Sequence, residues 1–398
     1  MSDTSTLRRA ETHPGIVHFA LAVGGFAIGT SEFAAMALIP YFSPSLGIAE
    51  TTASHVISAY ALGVVVGAPV LAVLGARWPR RTLLVALMIV YALAHVASAF
   101  AQTYHGMLVY RFISGLPHGA YFGVAALVAA SVVPREDRSK AVARVMTGLT
   151  VATVLGVPFA NVLGQTVGWR WGFGIVAVLA LLCVTLVWTY APKDEVRSQG
   201  SPLRELSALG NRQVLLTLLT GAVGFGGFFA VYSYVASTVI NVTQAGEAAV
   251  PFVLAAMGVG MVVGTLVVGR IADRRPTAAP FVIMAIGGLL MLCYGPATAS
   301  LVTLIPLVFL IGMSGALSIP LQSRLMDVAG EAQTLAAALN HSAFNIANAI
   351  GPAVAAAAIS AGYGFQASGY VGALLSVAGI VCFAVTVADA RRSANPAR

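Results

Sequence analysis

Residues 269–275 read Gly-Arg-Ile-Ala-Asp-Arg-Arg and residues 75–81 read Gly-Ala-Arg-Trp-Pro-Arg-Arg, two short basic stretches 194 positions apart, each closing a long apolar run. A brief, positively charged interruption between apolar runs is what a loop between two membrane-spanning helices looks like. Working outward, Gly156-Val-Pro158 pairs with Gly351-Pro352 at a spacing of 195, and Gly168–Trp171 pairs with Gly362–Phe365 at 194. Three pairs at nearly one spacing mark a duplicated architecture.

The rest of the chain fits that frame. Of 398 residues, 58% are hydrophobic and 9% charged, against roughly a quarter charged in a typical soluble domain. Runs of about 20 apolar residues, the length that crosses a bilayer core, recur with short gaps. They predict spans at 16–42, 52–75, 82–101, 106–131, 142–165, 171–190, 214–240, 248–269, 278–297, 300–323, 333–361 and 367–388. The fold expected is an all-α membrane protein of twelve transmembrane helices in two pseudo-symmetric six-helix bundles. Its parts are an N-terminal bundle (1–190), a cytoplasmic linker (191–213) and a C-terminal bundle (214–398). The first span is long and carries Glu32, so it reads as a retained helix and not a signal peptide.

The net charge of +8 does not indicate nucleic acid, because the basic residues lie between spans and form no single patch. Apart from Arg111 and Arg170, every lysine and arginine falls on the side of the N-terminus. The excess of cytoplasmic positive charge then puts both termini in the cytoplasm, here of a bacterial inner membrane. Cys183, Cys293 and Cys382 form no metal or disulfide spacing and read as packing residues.

Glu32 is the acid well inside a span. An ionised carboxylate there costs about 2.5 to 3.5 kcal/mol on insertion scales, so it faces a cavity or a partner. About 16 residues into its span, it lies roughly 24 Å from the cytoplasmic face, and Arg111 lies within about 8 Å of the outer edge, so the two share similar depth. Glu32 is expected to exchange a proton during the working cycle, with Arg111 tuning its proton affinity or holding the helix junction. A permanent ion pair that only fixes packing is the alternative. Arg111, Gly115 and His118 share a helix face, where His118 either relays protons or bonds to a neighbouring helix. His341, Asn345 and Asn348, with Asn340 beside them, form a polar stripe that binds cargo or joins helices. Tyr232, Tyr234, Phe228, Phe229, Met257 and Met261 are candidates for an adaptable apolar pocket, with ordinary packing as the alternative. Gly75, Arg80, Arg81, Gly156, Pro158, Gly269, Asp273 and Arg274 are the candidate gating or structural residues.

Several of these stretches carry a resemblance. Gly29-Thr-Ser-Glu32-Phe33, Arg111-Phe-Ile-Ser-Gly115, the series Gly148, Gly156, Pro158 and Gly164, Gly269–Arg275 with Asp273, and Asn340-His-Ser-Ala-Phe-Asn345 resemble the major facilitator superfamily. The likeness is to its drug and sugar efflux branch, the arabinose efflux and chloramphenicol resistance group. That resemblance implies proton transfer at the fourth-helix arginine and export through the fifth helix. The chain departs from the pattern at Pro79, where the family loop has an aspartate, and at Gly-Val-Pro in place of Gly-Pro.

The function expected is secondary active transport, proton-coupled efflux of small molecules such as amphiphilic drugs or sugars by alternating access. An importer or uniporter of the same fold is the alternative, and a membrane substrate sensor is the alternative of another class. Its partners are a small-molecule cargo, protons and the lipid bilayer, with no nucleic acid, and a monomer suffices. No nucleophile with a base and no metal-ligand cluster is evident, so the chain does not read as an enzyme. The absence of a Gly-x-x-x-x-Gly-Lys stretch argues against ATP as direct drive. No cofactor or metal is expected.

Overall fold

The computed structural model describes residues 13–75, 77–193, 210–329 and 333–394. Their regular structure is helical, the form in which a chain satisfies its own backbone hydrogen bonds inside lipid. The principal helices are α1 (Pro14–Ala37), α2 (His55–Gly75), α3 (Arg80–Ala99), α4 (Tyr104–Ser131), α5 (Arg135–Thr166) and α6 (Trp169–Tyr190), then α7 (Arg212–Asn241), α8 (Val250–Arg274), α9 (Ala278–Leu292), α10 (Leu301–Val328), α11 (Gln333–Ala358) and α12 (Ala367–Ala394).

Among the described residues, eleven helices are long and apolar enough to cross a membrane. The ninth, with 15 residues, covers only about 22 Å. A further turn, Tyr294–Ala297, continues it after a break at Cys293. The first helix stops at Ala37 and not at 42, because Pro40 opens a separate short helix, Ile39–Ser45. The expected linker at 191–213 falls mostly on 194–209, outside the described residues.

Helix starts follow local chemistry. Thr103 caps α4 by accepting from the Gly106 amide at 3.1 Å, and Asn211 caps α7 by accepting from the Gln213 amide at 2.9 Å. Each satisfies an amide that the helix itself leaves unpaired. Large apolar residues such as Leu74, Leu93, Trp188, Leu266, Leu289 and Leu374 are exposed on the outside of the bundle, where lipid is the solvent that suits them.

Packing repeats along the chain. Helix α2 lies against α4, α1 against α5 and α6, and α3 against α6; six helices on, α8 lies against α10, α7 against α11 and α12, and α9 against α12. The seams repeat as well. A Cβ at Gly63, Gly67 or Gly115 would strike backbone across the α2–α4 seam, and one at Gly260, Gly264 or Gly312 would do so across the α8–α10 seam. The second trio follows the first by 197 residues throughout. Small residues at these points let the helix backbones touch.

The two sets of six meet along α1, α2 and α5 on one side and α7, α8 and α11 on the other. Hydrogen bonds that cross between them include Ser237 donating to Glu50, Gln165 Nε2 donating to the Glu247 carbonyl at 2.8 Å and Ser58 Oγ donating to the Ala349 carbonyl at 3.3 Å. These three lie toward the end of the bundle opposite the one where α1 begins and α12 ends. Of the cysteines, Cys183 is buried between Tyr121 and the Ala20 carbonyl, whereas Cys293 is exposed at the break after α9, so the packing reading fits Cys183 and not Cys293.

Candidate functional site

Helix α1 buries three consecutive residues, Ser31, Glu32 and Phe33, at the meeting of the two sets of helices. Glu32 is 7% exposed, and its Oε1 accepts from Asn348 Nδ2 of α11 at 3.3 Å. The carboxylate therefore binds across the middle of the molecule. Arg111 takes a different partner, its Nη1 donating to Ser31 Oγ at 2.9 Å, and it forms no ion pair among the described residues.

Arg111 is wholly buried. Its guanidinium lies 4.3 Å over the Tyr60 ring and 5.6 Å from that of Phe173, while Nε and Nη2 have no hydrogen-bond partner among the described residues. Aromatic faces are favourable to a cation in a dry place, and they hold it without neutralising it. Tyr60 also bonds through its hydroxyl to His118 Nδ1 at 2.9 Å. One tyrosine of α2 thus joins two of the expected residues of α4.

His118 reaches the opposite half. Its ring centroid is 6.4 Å from that of His341, which stacks on Phe122 at 5.7 Å and 4°. Below His341 on α11, Asn345 Nδ2 donates to the His341 carbonyl at 3.0 Å, and Asn348 completes the stripe at Glu32. Asn340 points to α10, donating to Gln322 at 2.5 Å. Among the described residues Asn345 Oδ1, Asn348 Oδ1 and Ser342 Oγ are buried without partners, so α11 presents unused acceptors, one of them on the residue that binds the carboxylate.

Aromatic rings close the other wall. Tyr232 meets Phe33 edge-on at 5.0 Å, Phe228 lies 5.6 Å from Tyr232, and Phe229 stacks on Phe33 at 6.1 Å. The Tyr232 hydroxyl is buried without a partner among the described residues. Tyr234, two residues on, faces elsewhere, donating to the Pro352 carbonyl at 3.4 Å beside Phe365. Met257 is buried on α8 at its seam with α10, its carbonyl against Gly312, and Met261 lies beside Gly315.

The candidate gating residues are dispersed. Gly75 packs on Leu83. Arg80 opens α3, and Arg81 donates to the Trp188 carbonyl with its guanidinium 4.5 Å over that ring, tying α3 to α6. Gly156 ends a π-helical turn, Ala152–Gly156, with Pro158 in the following helix, and a Cβ there would strike Thr30 of α1. A Cβ at Gly269 would meet nothing, and Arg274 is exposed in the last turn of α8. The Asp273 side chain lies outside the described residues.

Three contributors escaped sequence reasoning. Tyr60 holds Arg111 and His118. Glu50 receives Ser237 across the halves. His95 of α3, wholly buried, bonds through Nε2 to Ser31 Oγ at 2.5 Å and through Nδ1 to the Tyr91 carbonyl at 2.8 Å. The available signal for His95 was a single imidazole on the apolar face Met88, Tyr91, Ala92, His95 of a spanning helix.

Comparison with known proteins runs the same way. A family model described as the Major Facilitator Superfamily matches residues 21–352. The chain is 37% identical over 359 residues to the inner membrane transport protein YdhP of Escherichia coli K12, covering 90% of this chain and 92% of that one. It is 35% identical over 379 residues to the chloramphenicol resistance protein of Streptomyces lividans, covering 93% and 94%. The crystal structure of the nucleoside transporter NupG has the same fold, with a TM-score of 0.74 at 14% identity over 93% of this chain and 99% of that one. The matched stretch takes in Glu32, Arg111 and the α11 stripe as far as Asn348, and with more than half of the chain inside it the chain belongs to the Major Facilitator Superfamily, whose members are transporters and not enzymes.

Proposed function

We propose that this transporter exports small amphiphilic molecules from the bacterial cytoplasm in exchange for protons, with Glu32 as the proton-exchanging group. The observation that carries the reading is the Glu32–Asn348 hydrogen bond. A buried carboxylate whose partner sits on the other half of a duplicated bundle makes its protonation and the approach of the halves one event. Relatives named for chloramphenicol resistance and, at 28% identity, for probable sugar efflux support the outward direction. The aromatic wall of Phe33, Phe228 and Tyr232 suits an apolar cargo, and the unpartnered amide oxygens of Asn345 and Asn348 suit its hydrogen-bond donors.

The chain works as two rocking six-helix bundles, 1–190 and 214–398, with both termini cytoplasmic in the inner membrane and one copy sufficient. On that orientation the bonds Ser237–Glu50, Gln165–Glu247 and Ser58–Ala349 close the outer end, and cargo enters from the cytoplasm. The test is reconstitution in vesicles holding a pH-sensitive dye under an imposed proton gradient, with amphiphilic drugs and sugars screened in turn. Counterflow of protons with one compound, lost in Glu32→Gln, is expected. Full proton-coupled transport in Glu32→Gln would end the assignment of Glu32, and proton flux in the same direction as the cargo would make the chain an importer.

A further inference from the structure

The two hydrogen bonds of a neutral His95 and the one that Arg111 gives Ser31 can be made together in one direction only. The Tyr91 carbonyl only accepts, so the 2.8 Å contact requires a hydrogen on His95 Nδ1. A neutral ring then has a bare Nε2, which accepts from the Ser31 hydroxyl at 2.5 Å. With its hydrogen spent on His95, Ser31 Oγ presents lone pairs, and Arg111 Nη1 donates to it at 2.9 Å. The relay runs Arg111 to Ser31 to His95 to the Tyr91 carbonyl, in one direction from α4 through α1 to α3. The ring is held between Tyr91 at 4.2 Å and Phe173 at 6.4 Å.

From this geometry we infer that His95 is a positioning residue for proton exchange: as a neutral imidazole with its hydrogen on Nδ1, it holds the Ser31 hydroxyl as an acceptor and so parks Arg111 beside Glu32 without pairing the two. The inference rests on the assignment of Glu32 above. Ser31 and Glu32 are neighbours on α1 and Glu32 is the carboxylate that Arg111 feels, so an Arg111 released from the serine is free to pair with it. An ion pair formed there favours the charged carboxylate and opposes its taking up a proton. The charged and titratable groups that face this cluster are Arg111 from α4, Glu32 from α1, Tyr60 from α2 and the Tyr91 phenol from α3 itself, with Phe173 contributed by α6.

Two side chains separate the role from mere filling. Glutamine at 95 places its amide oxygen where Nε2 was and still accepts from Ser31, whereas asparagine reaches only the Nδ1 position and keeps the Tyr91 bond alone. Cargo-driven proton flux in vesicles is expected to stay near the parent level in His95→Gln and to fall about tenfold or more in His95→Asn, the scale of a lost orienting contact, with equilibrium cargo binding little changed. Equal fluxes in the two variants would overturn the inference. Nitrogen NMR of histidine-labelled parent protein, with His95→Gln identifying the signal, supplies a readout independent of transport. A neutral ring with its hydrogen on Nδ1 is expected between pH 5 and 8, and titration in that range or a hydrogen on Nε2 would overturn the inference. Parallel Glu32→Gln vesicles keep the two ideas apart. If they still couple protons, the assignment of Glu32 has failed while the NMR result still decides the state of His95.

Discussion

Arg111 is a buried cation whose hydrogen bond goes to a hydroxyl and whose charge lies over the ring of Tyr60. That arrangement needs a flat guanidinium, which can stack and donate sideways at once, and an ammonium cannot do both. Arg111→Lys is therefore expected to keep the charge and lose about tenfold in transport rate, with the folded protein recovered in normal yield. Parent-level transport in this variant would show that charge alone suffices. At this scale the sequence was partly legible. Glu32 and Arg111 stood out because an isolated charge in an apolar run demands a reason. Their relation did not, since nothing in the order of residues says that Ser31 and Tyr60, and not Glu32, receive the arginine. His95 was hidden for the same cause, its partner Ser31 lying 64 positions away.

Helices were easier to read than their ends. The apolar runs located all twelve segments, but α9 is shorter than its run because the helix breaks at Cys293. The first helix ends early, at Ala37, ahead of Pro40, a residue already visible in the sequence. The spacing of 194 to 195 between loop motifs announced the duplication. The glycine trios at 197 required the structure, because glycine is common in spanning helices and only coordinates distinguish one that touches backbone from one that faces lipid. Gly115→Ala is expected to force α2 from α4, at a cost of about 1 to 3 kcal/mol. Gly269→Ala, with open space around it, is expected to leave stability unchanged or raise it by up to ~1 kcal/mol through helix propensity. Thermal unfolding in detergent compares them, and equal melting temperatures would deny the α2–α4 seam its role.

For the whole molecule, transport by rocking requires the bonds between the halves to break in every cycle. Ser58 Oγ and the Ala349 carbonyl, 3.3 Å apart, place α2 and α11 close enough to test this with a covalent link. The pair Ser58→Cys and Ala349→Cys, made with Cys293→Ser to remove the exposed thiol, is expected to transport when reduced and to stop when oxidised. Undiminished transport by the oxidised protein would mean that the halves need not separate there. Glu32 and Asn348 stand in the same seam, and their single bond gives the cycle its logic. Parting them strands a carboxylate and an amide in a dry interior, which neither tolerates alone. On the proposed exchange, a proton on the acid or a polar group of the cargo at the amide relieves that cost, one after the other in the cycle. In that exchange two travellers bound in opposite directions take turns at replacing one hydrogen bond, and a transporter with neither aboard has reason to stay shut.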